Sequence, residues 1–194
     1  MYEKAHAMNR IPALMAALVA MCLVSQPAAA DAVRSAYVGQ QSRDIKALSG
    51  EDIAALHNGD GMGLAKAAEL NGYPGPRHVL AMVRELRLGK NQAAQVTAIR
   101  DRMSAAARPL GDELIDRERG LDQLFAQREI TPERLTTATA AIGDVQGRLR
   151  AVHLAAHLET RAVLSTEQIA QYDKLRGYTE TGRPNRDHST GHHH

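Results

Sequence analysis

Apolar residues recur at three- and four-residue steps along two long stretches of this chain, from about residue 91 to 127 and from 131 to about 163. This spacing places the apolar side chains on one face of an α-helix, and no stretch after residue 31 shows the alternating pattern of a strand. The short connection between the stretches predicts an antiparallel helical hairpin. The first stripe comprises Val96, Ile99, Met103, Ala106, Leu110, Leu114, Leu121 and Leu124, and the second comprises Leu135, Ala138, Ile142, Val145, Leu149, Val152, Ala156 and Val163.

Prolines mark both helices of the hairpin. Pro109 lies inside the first, where it removes a backbone donor and clashes with the preceding turn, so we expect a kink or a break near Ala106. Thr131 and Pro132 begin the second, since threonine is a good N-cap and proline is tolerated at the first helical position.

Shorter helices are predicted before the hairpin, at residues 49–58, 64–70 and 77–86, and they are separated by Asn-Gly and Pro-Gly-Pro sequences. Residues 31–48 have a mixed pattern and predict a loosely held arm, and the glycine-rich residues 59–63 predict a flexible linker. The fold class is therefore all-α.

Composition narrows the possible functions. Hydrophobic residues make up 44% of the 194, which is enough for a packed core. The 24 Lys and Arg nearly balance the 22 Asp and Glu, and the chain has one Phe and no Trp. Without a strong basic balance or aromatic stacking residues, nucleic-acid binding is not expected.

The N-terminal residues have the pattern of a secretory signal peptide. An apolar run at 11–24 follows basic residues and precedes Ala28-Ala29-Ala30, which predicts cleavage before Asp31 and export to the periplasm. The run is shorter than the roughly 20 residues of a membrane span, so none is expected. The single cysteine, Cys22, lies in this leader, which leaves the mature chain without disulfides, thiol catalysis or Cys-zinc sites.

Two helix starts share the pattern Leu-x-x-x-Gln. Leu164-Ser165-Thr166-Glu167-Gln168 is a capping box that opens a last helix through Tyr172 and Leu175, and Leu88-Gly89-Lys90-Asn91-Gln92 repeats it before the first long helix. With this repeat, the chain resembles the Spy/CpxP-like family, whose hallmark is a duplicated Leu-Thr-x-x-Gln motif and which includes zinc resistance-associated and heavy-metal sensor relatives. Gly89 and Ser165 stand where that motif has threonine.

The resemblance implies a four-helix, hairpin-like protomer, usually a homodimer, that acts in envelope stress without ATP. It implies binding of unfolded or envelope proteins, an adaptor role toward a sensor kinase or, in other relatives, metal binding. We expect no enzymatic activity, since Leu154 stands where a His-Glu-x-x-His protease has its glutamate. The expected organisation is a signal peptide at 1–30, an N-terminal arm with short helices at 31–75, the helical domain at 76–178 and a disordered, histidine-containing tail at 179–194.

Candidate ligands for a metal ion are paired at helical spacing. His153 and His157 are four residues apart, as are His78 and Met82, and imidazole with thioether suits copper, nickel or cobalt, while an added carboxylate suits zinc. In the alternative interpretation, both imidazoles pack at a dimer seam and Met82 belongs to the core. His188 and the three terminal histidines could also hold metal loosely.

The candidate client-binding residues are arginines interspersed with apolar side chains, and they are Arg84, Arg87, Arg100 and Arg102. Leu154 and Leu158 lie off the main stripe of the second long helix and indicate a partner subunit. The leading hypothesis is thus a periplasmic chaperone or adaptor of the Spy/CpxP type that requires no cofactor. The alternative is a heavy-metal-binding sensor or resistance protein.

Overall fold

The computed structural model describes residues 34–179, which contain six α-helices and no strand. The helices are α1 (Gly50–Asn58), α2 (Lys66–Glu69), α3 (Pro76–Ala81), α4 (Lys90–Ala126), α5 (Pro132–Val163) and α6 (Thr166–Leu175). The predicted all-α class is confirmed. The predicted signal peptide and the tail histidines lie outside the described residues.

The chain divides into two compact units at Val38. The described part of the first unit, residues 34–38, consists of exposed turns. All the helices belong to the second unit, which begins at Gly39.

Helices α4 and α5 form the predicted antiparallel hairpin. Polar contacts across it join Glu113 to Arg148 at 2.7 Å and, farther from the connecting loop, Arg102 to Glu159 at 2.5 Å. The second pair lies nearer the N-terminus of α4 and nearer the C-terminus of α5 than the first pair, so the two helices run antiparallel.

Pro109 does not break α4, which is helical from Lys90 to Ala126. The expectation of a break was therefore wrong. Ala105, whose carbonyl loses its hydrogen bond to the proline, lies on the exposed side of the helix, so water can bind this oxygen. Burial of Ala107 and Gly111 on the opposite side holds α4 against its neighbours.

Two separate apolar clusters hold the helices together. The first lies along the middle of the hairpin and comprises Ile45, Leu56, Ala107, Leu114, Ile115, Ile142, Val145 and Leu149. The second lies at the open end and comprises Val79, Leu86, Val96, Leu164 and Tyr172. Ile45 is only 1% exposed, so this part of the predicted loose arm is in fact packed into the core.

The short helices differ in length from the prediction. Ser49 caps α1 through a capping box with Asp52, and Gly59 ends it at a φ of 70°, as expected. Helix α3 is shorter than predicted because Met82 leaves helical geometry, and the following turns reach Arg87 at a φ of 49°. Helix α2 is a single turn.

The two Leu-x-x-x-Gln starts meet in space. Gln92 and Gln168 are the third residues of α4 and α6, and their side-chain amides donate to each other at 2.9 and 3.1 Å. Each amide also accepts from its own N-cap backbone and donates to a distant carbonyl, that of Val163 or of Leu86. We call this arrangement the amide pair. It ties the start of α4 to the start of α6.

Candidate metal site

A cavity of about 640 Å³ interrupts the apolar interior between the two clusters. Its floor is formed by the hairpin, with Met103 on α4 and His153 and His157 on α5, and its walls include residues 59–63, α2 and the start of α3. The sequence stripes continue through Met103 and Ala156 and gave no sign of this interruption. A cavity of this size has room for an ion and the side chains that bind it.

His157 has one ring nitrogen fixed and the other available. Its Nδ1 lies 2.7 Å from the carbonyl oxygen of Tyr73, which can only accept, so Nδ1 carries a proton and Nε2 is the ring nitrogen that remains for a ligand. A Cβ atom on Gly75 would lie 3.0 Å from Nε2, so only glycine lets the chain pass this close to the ring. A backbone carbonyl behind the ring is a common support for a metal-binding histidine.

His153 is 2% exposed, and its buried Nε2 has no hydrogen-bond partner within the described residues. The backbone of Gly61 covers the other side of the ring, since a Cβ there would lie 3.5 Å from Nδ1. A buried nitrogen without a partner is costly, and such groups call for an explanation, one of which is an ion. His78 shows the same feature at Nδ1, which lies 3.4 Å from Glu69 without forming a hydrogen bond.

Burial lowers the pKa of His153, and the nearby His157 lowers it further. Burial also lowers the pKa of His78, with Arg176 adding to the effect. Both imidazoles are therefore neutral near pH 7, which is the form that binds metal ions.

Glu69 is the centre of a polar network beside the imidazoles. The hydroxyls of Tyr172 and Tyr178 donate to its carboxylate at 2.5 and 3.2 Å, and the backbone of Gly75 donates at 3.1 Å. Burial alone would raise the pKa of Glu69, but the Tyr172 hydrogen bond and the neighbouring His78 bring it below the usual value. The carboxylate is thus ionised and already engaged. No pattern in the sequence marks Glu69 as a site residue, because its partners are distant along the chain.

Two methionines line the cavity, and neither was among the predicted ligands. They are Met62, in the loop predicted as a flexible linker, and Met103, on the floor. The predicted ligand Met82 lies instead against the second apolar cluster and does not line the cavity. The spacing of His78 and Met82 fails as a guide because α3 ends before Met82.

The fit to a metal ion can be judged from these donors. Neutral imidazoles with available lone pairs suit a transition metal. Within residues 34–179, no group of three or more His, Cys, Asp or Glu side chains is close enough together to hold an ion. The donors therefore face one cavity without converging on a point, so binding requires rings or loops to move inward.

The four predicted client-binding arginines do not form one surface. Arg84 and Arg87 are exposed in the turns after α3. Arg100 lines the cavity and pairs with Asp101 at 2.7 Å, whereas Arg102 pairs with Glu159. Two of the four charges are therefore already balanced by neighbouring carboxylates.

A family model described as heavy-metal resistance matches residues 61–171, more than half of the chain. The chain belongs to the heavy-metal resistance family. This family is part of the Spy/CpxP-like helical superfamily, so the resemblance that the duplicated motif indicated is confirmed. The matched range includes His78, His153, His157 and the two cavity methionines. No curated protein and no solved structure matches the chain significantly.

No helix among the described residues is long and apolar enough to cross a membrane.

Proposed function

We propose that this protein binds a transition-metal ion in the cavity, and that His153 and His157 on α5 and His78 on α3 supply its nitrogen ligands. The observation that carries the proposal is that three imidazoles line one cavity in a member of the heavy-metal resistance family. The bound ion undergoes no reaction here, since the function is to capture it.

Each imidazole has a defined part in the proposed capture. The Tyr73 carbonyl keeps the proton of His157 on Nδ1, so that Nε2 is the donor. His153 offers its unpartnered Nε2 one helical turn away. Because the pKa of His153 is lowered, no proton has to be displaced from it near neutral pH.

Glycine loops support the inward movement that binding requires. Residues 59–63 lie over the ring of His153 through Gly61, and the turn before α3 lies over His157 through Gly75. Because no side chain lies between these segments and the rings, a shift of either segment is passed directly to an imidazole.

The test is a calorimetric titration with Zn²⁺, Ni²⁺, Co²⁺ and Cu²⁺, together with anaerobic chelator competition for Cu(I). The reference protein begins at Asp31, the expected mature N-terminus, which removes His6 and Cys22, and it carries serine in place of His188, His192, His193 and His194, so that only the described histidines contribute. We expect one stoichiometric site, lost when His153→Gln and His157→Gln are combined. Unchanged binding in that double variant would refute the proposal.

A matched control uses His57, which is exposed and pairs with Asp112 at 2.6 Å, away from the cavity lining. His57→Gln removes an imidazole without touching the proposed site, so we expect wild-type affinity. Far-ultraviolet circular dichroism of all variants separates loss of ligand from loss of fold.

A second candidate function is an ATP-independent chaperone or adaptor of the Spy/CpxP type, with unfolded envelope proteins or a sensor kinase as partners. It is supported by large apolar side chains on the surface of the hairpin, where Phe125 is 54% exposed and Leu158 is 57% exposed. The measurement is aggregation of a reduced, unfolding client without metal or ATP. Suppression by the reference protein, and its loss in Phe125→Ser, is the expected result, while equal aggregation with and without the protein excludes this role.

Both candidates include a periplasmic location, a homodimer and no enzymatic activity. Export is tested by sequencing the N-terminus of the protein from a periplasmic extract, which we expect to begin at Asp31.

A further inference from the structure

Thioether sulfurs, and not only imidazoles, line the proposed metal cavity. Met103 projects from α4 into the floor, between the two apolar clusters, and Met62 belongs to the loop whose neighbouring residue Gly61 covers His153. Methionine sulfur is a soft ligand that favours soft ions, above all Cu(I).

The conformation of Met62 is unusual for a core methionine. The residue is 46% exposed, and its backbone lies in the left-handed region, at a φ of 44°. Residues other than glycine, asparagine and aspartate seldom adopt this region, and such strain concentrates at functional sites. A glycine, such as Gly61 or Gly63 on either side, would adopt that conformation without strain. Because Met62 is also largely exposed, core packing does not explain a methionine at this position.

The charges around the cavity disfavour a divalent ion with neutral ligands. The two lining carboxylates are already paired, Asp60 with Arg77 at 3.1 Å and Glu69 with Arg176 at 3.4 Å. Lys66 adds positive charge to the lining, whereas the charge of Arg100 is balanced by Asp101 at 2.7 Å. Bringing a cation into this environment is opposed by like charge, and the opposition to a monovalent ion is about half that to a divalent one.

The number of donors in the cavity also favours a monovalent ion over a divalent one. Because no three His or carboxylate side chains converge among the described residues, a divalent ion that needs several nitrogen or oxygen ligands is poorly served. Cu(I) accepts low coordination numbers and mixed nitrogen and sulfur ligands, which is the donor set that this cavity contains.

We propose that the cavity selects Cu(I), and that the thioethers of Met62 and Met103 complete a site with the imidazoles of His153 and His157. This inference rests on the proposed function and specifies its metal. The Gly61-Met62-Gly63 loop carries one sulfur to the mouth of the cavity, and α4 holds the other in place.

The experiment measures affinity for two classes of ion in the reference protein and its methionine variants. Cu(I) is supplied anaerobically in competition with a chromogenic chelator, Ag(I) serves as a redox-inert analogue, and Zn²⁺ is titrated by calorimetry. The variants are Met62→Leu, Met103→Leu and their combination. Met82→Leu is the matched control, because it makes the same change in the second apolar cluster, outside the cavity.

We expect the combined variant to lose roughly tenfold or more in affinity for Cu(I) and Ag(I), since even supporting residues of metal sites contribute 10–100-fold. The affinity of the combined variant for Zn²⁺ should remain unchanged, and Met82→Leu should keep the affinity of the reference protein for all three ions. Copper X-ray absorption should show sulfur neighbours in the reference protein and only nitrogen or oxygen neighbours in the combined variant.

The outcomes separate the two proposals. Histidine-dependent binding that is indifferent to Met62 and Met103, or a loss of equal size for Zn²⁺, overturns the Cu(I) site and leaves the proposed function standing. Absence of any metal binding to the reference protein overturns both. Thermal unfolding of each variant verifies that it folds.

Discussion

Gly111 and Gly120 lie in the same helix, α4, but in opposite surroundings, and replacing each by alanine should change stability in opposite directions. A Cβ atom on Gly111 would lie 2.3 Å from the carbonyl oxygen of Leu56, which is a backbone atom of α1. At Gly120 a Cβ atom would meet nothing within 4 Å. Comparing the two variants separates the effect of the close approach of α1 to α4 from the general effect of removing a glycine from a helix.

The magnitudes follow from these distances. Alanine in place of an internal helical glycine favours folding by about 1 kcal/mol, which is the whole effect expected for Gly120→Ala. At Gly111 an ordinary contact begins at 3.4 Å, so α1 has to retreat by about 1.1 Å. Overpacking of this kind typically costs about 1–3 kcal/mol, and rigid backbone places the site at the upper end. The net expectation for Gly111→Ala is a loss of roughly 2 kcal/mol.

The assay is urea denaturation of both variants and the reference protein, followed by circular dichroism. We expect the midpoint to rise for Gly120→Ala and to fall for Gly111→Ala at similar slopes, because the surface exposed on unfolding is nearly the same. If Gly111→Ala stabilises the protein as much as Gly120→Ala does, the close packing of α1 on α4 is refuted. Metal titration of Gly111→Ala then tests whether α1 also positions the cavity loop that follows it.

Three further predictions concern other parts of the molecule. Gln168→Leu should lower the free energy of unfolding by about 0.5–1.5 kcal/mol in urea denaturation, because half-buried Gln92 and the Leu86 carbonyl lose their hydrogen bonds to the amide. The pKa values of His78 and His153 in the folded protein are lowered from 6.5, so below that pH the unfolded chain binds more protons than the folded one. The free energy of unfolding should therefore fall as the pH drops through about 6.5. Urea midpoints that do not move between about pH 7.5 and pH 5.5 would contradict this. Leu158→Glu should convert the proposed homodimer to a monomer in light scattering, since it places a charge on the exposed apolar side of α5, and an unchanged mass would exclude that side as the interface.

Local sequence signals were sufficient for the hairpin and for most helix boundaries. The caps at Ser49, Thr131 and Ser165 and the glycine end at Gly59 depend on neighbouring residues alone, so they could be recognised without tertiary information. Pro109 misled the prediction because its effect depends on packing elsewhere along α4 and on the exposure of a single carbonyl.

The candidate site was only partly accessible from sequence. His153 and His157 could be paired because they share one helix, and His78 lines the same cavity. Glu69 and Met62 were missed because they reach the cavity only through the folding of α2 and the 59–63 loop over the hairpin, and Met103 was missed because it lies on the other helix of the hairpin. No periodicity within one helix encodes such a juxtaposition.

The amide pair has a consequence for how the molecule opens. A terminal helix of ten residues, such as α6, would ordinarily fray independently of the rest of a bundle. Here its first turn shares two hydrogen bonds with the first turn of α4 and a third with the Leu86 carbonyl. In native-state hydrogen exchange, the amides at the beginnings of the two helices should therefore become accessible together, as one cooperative unit that links the last helix to the longest one.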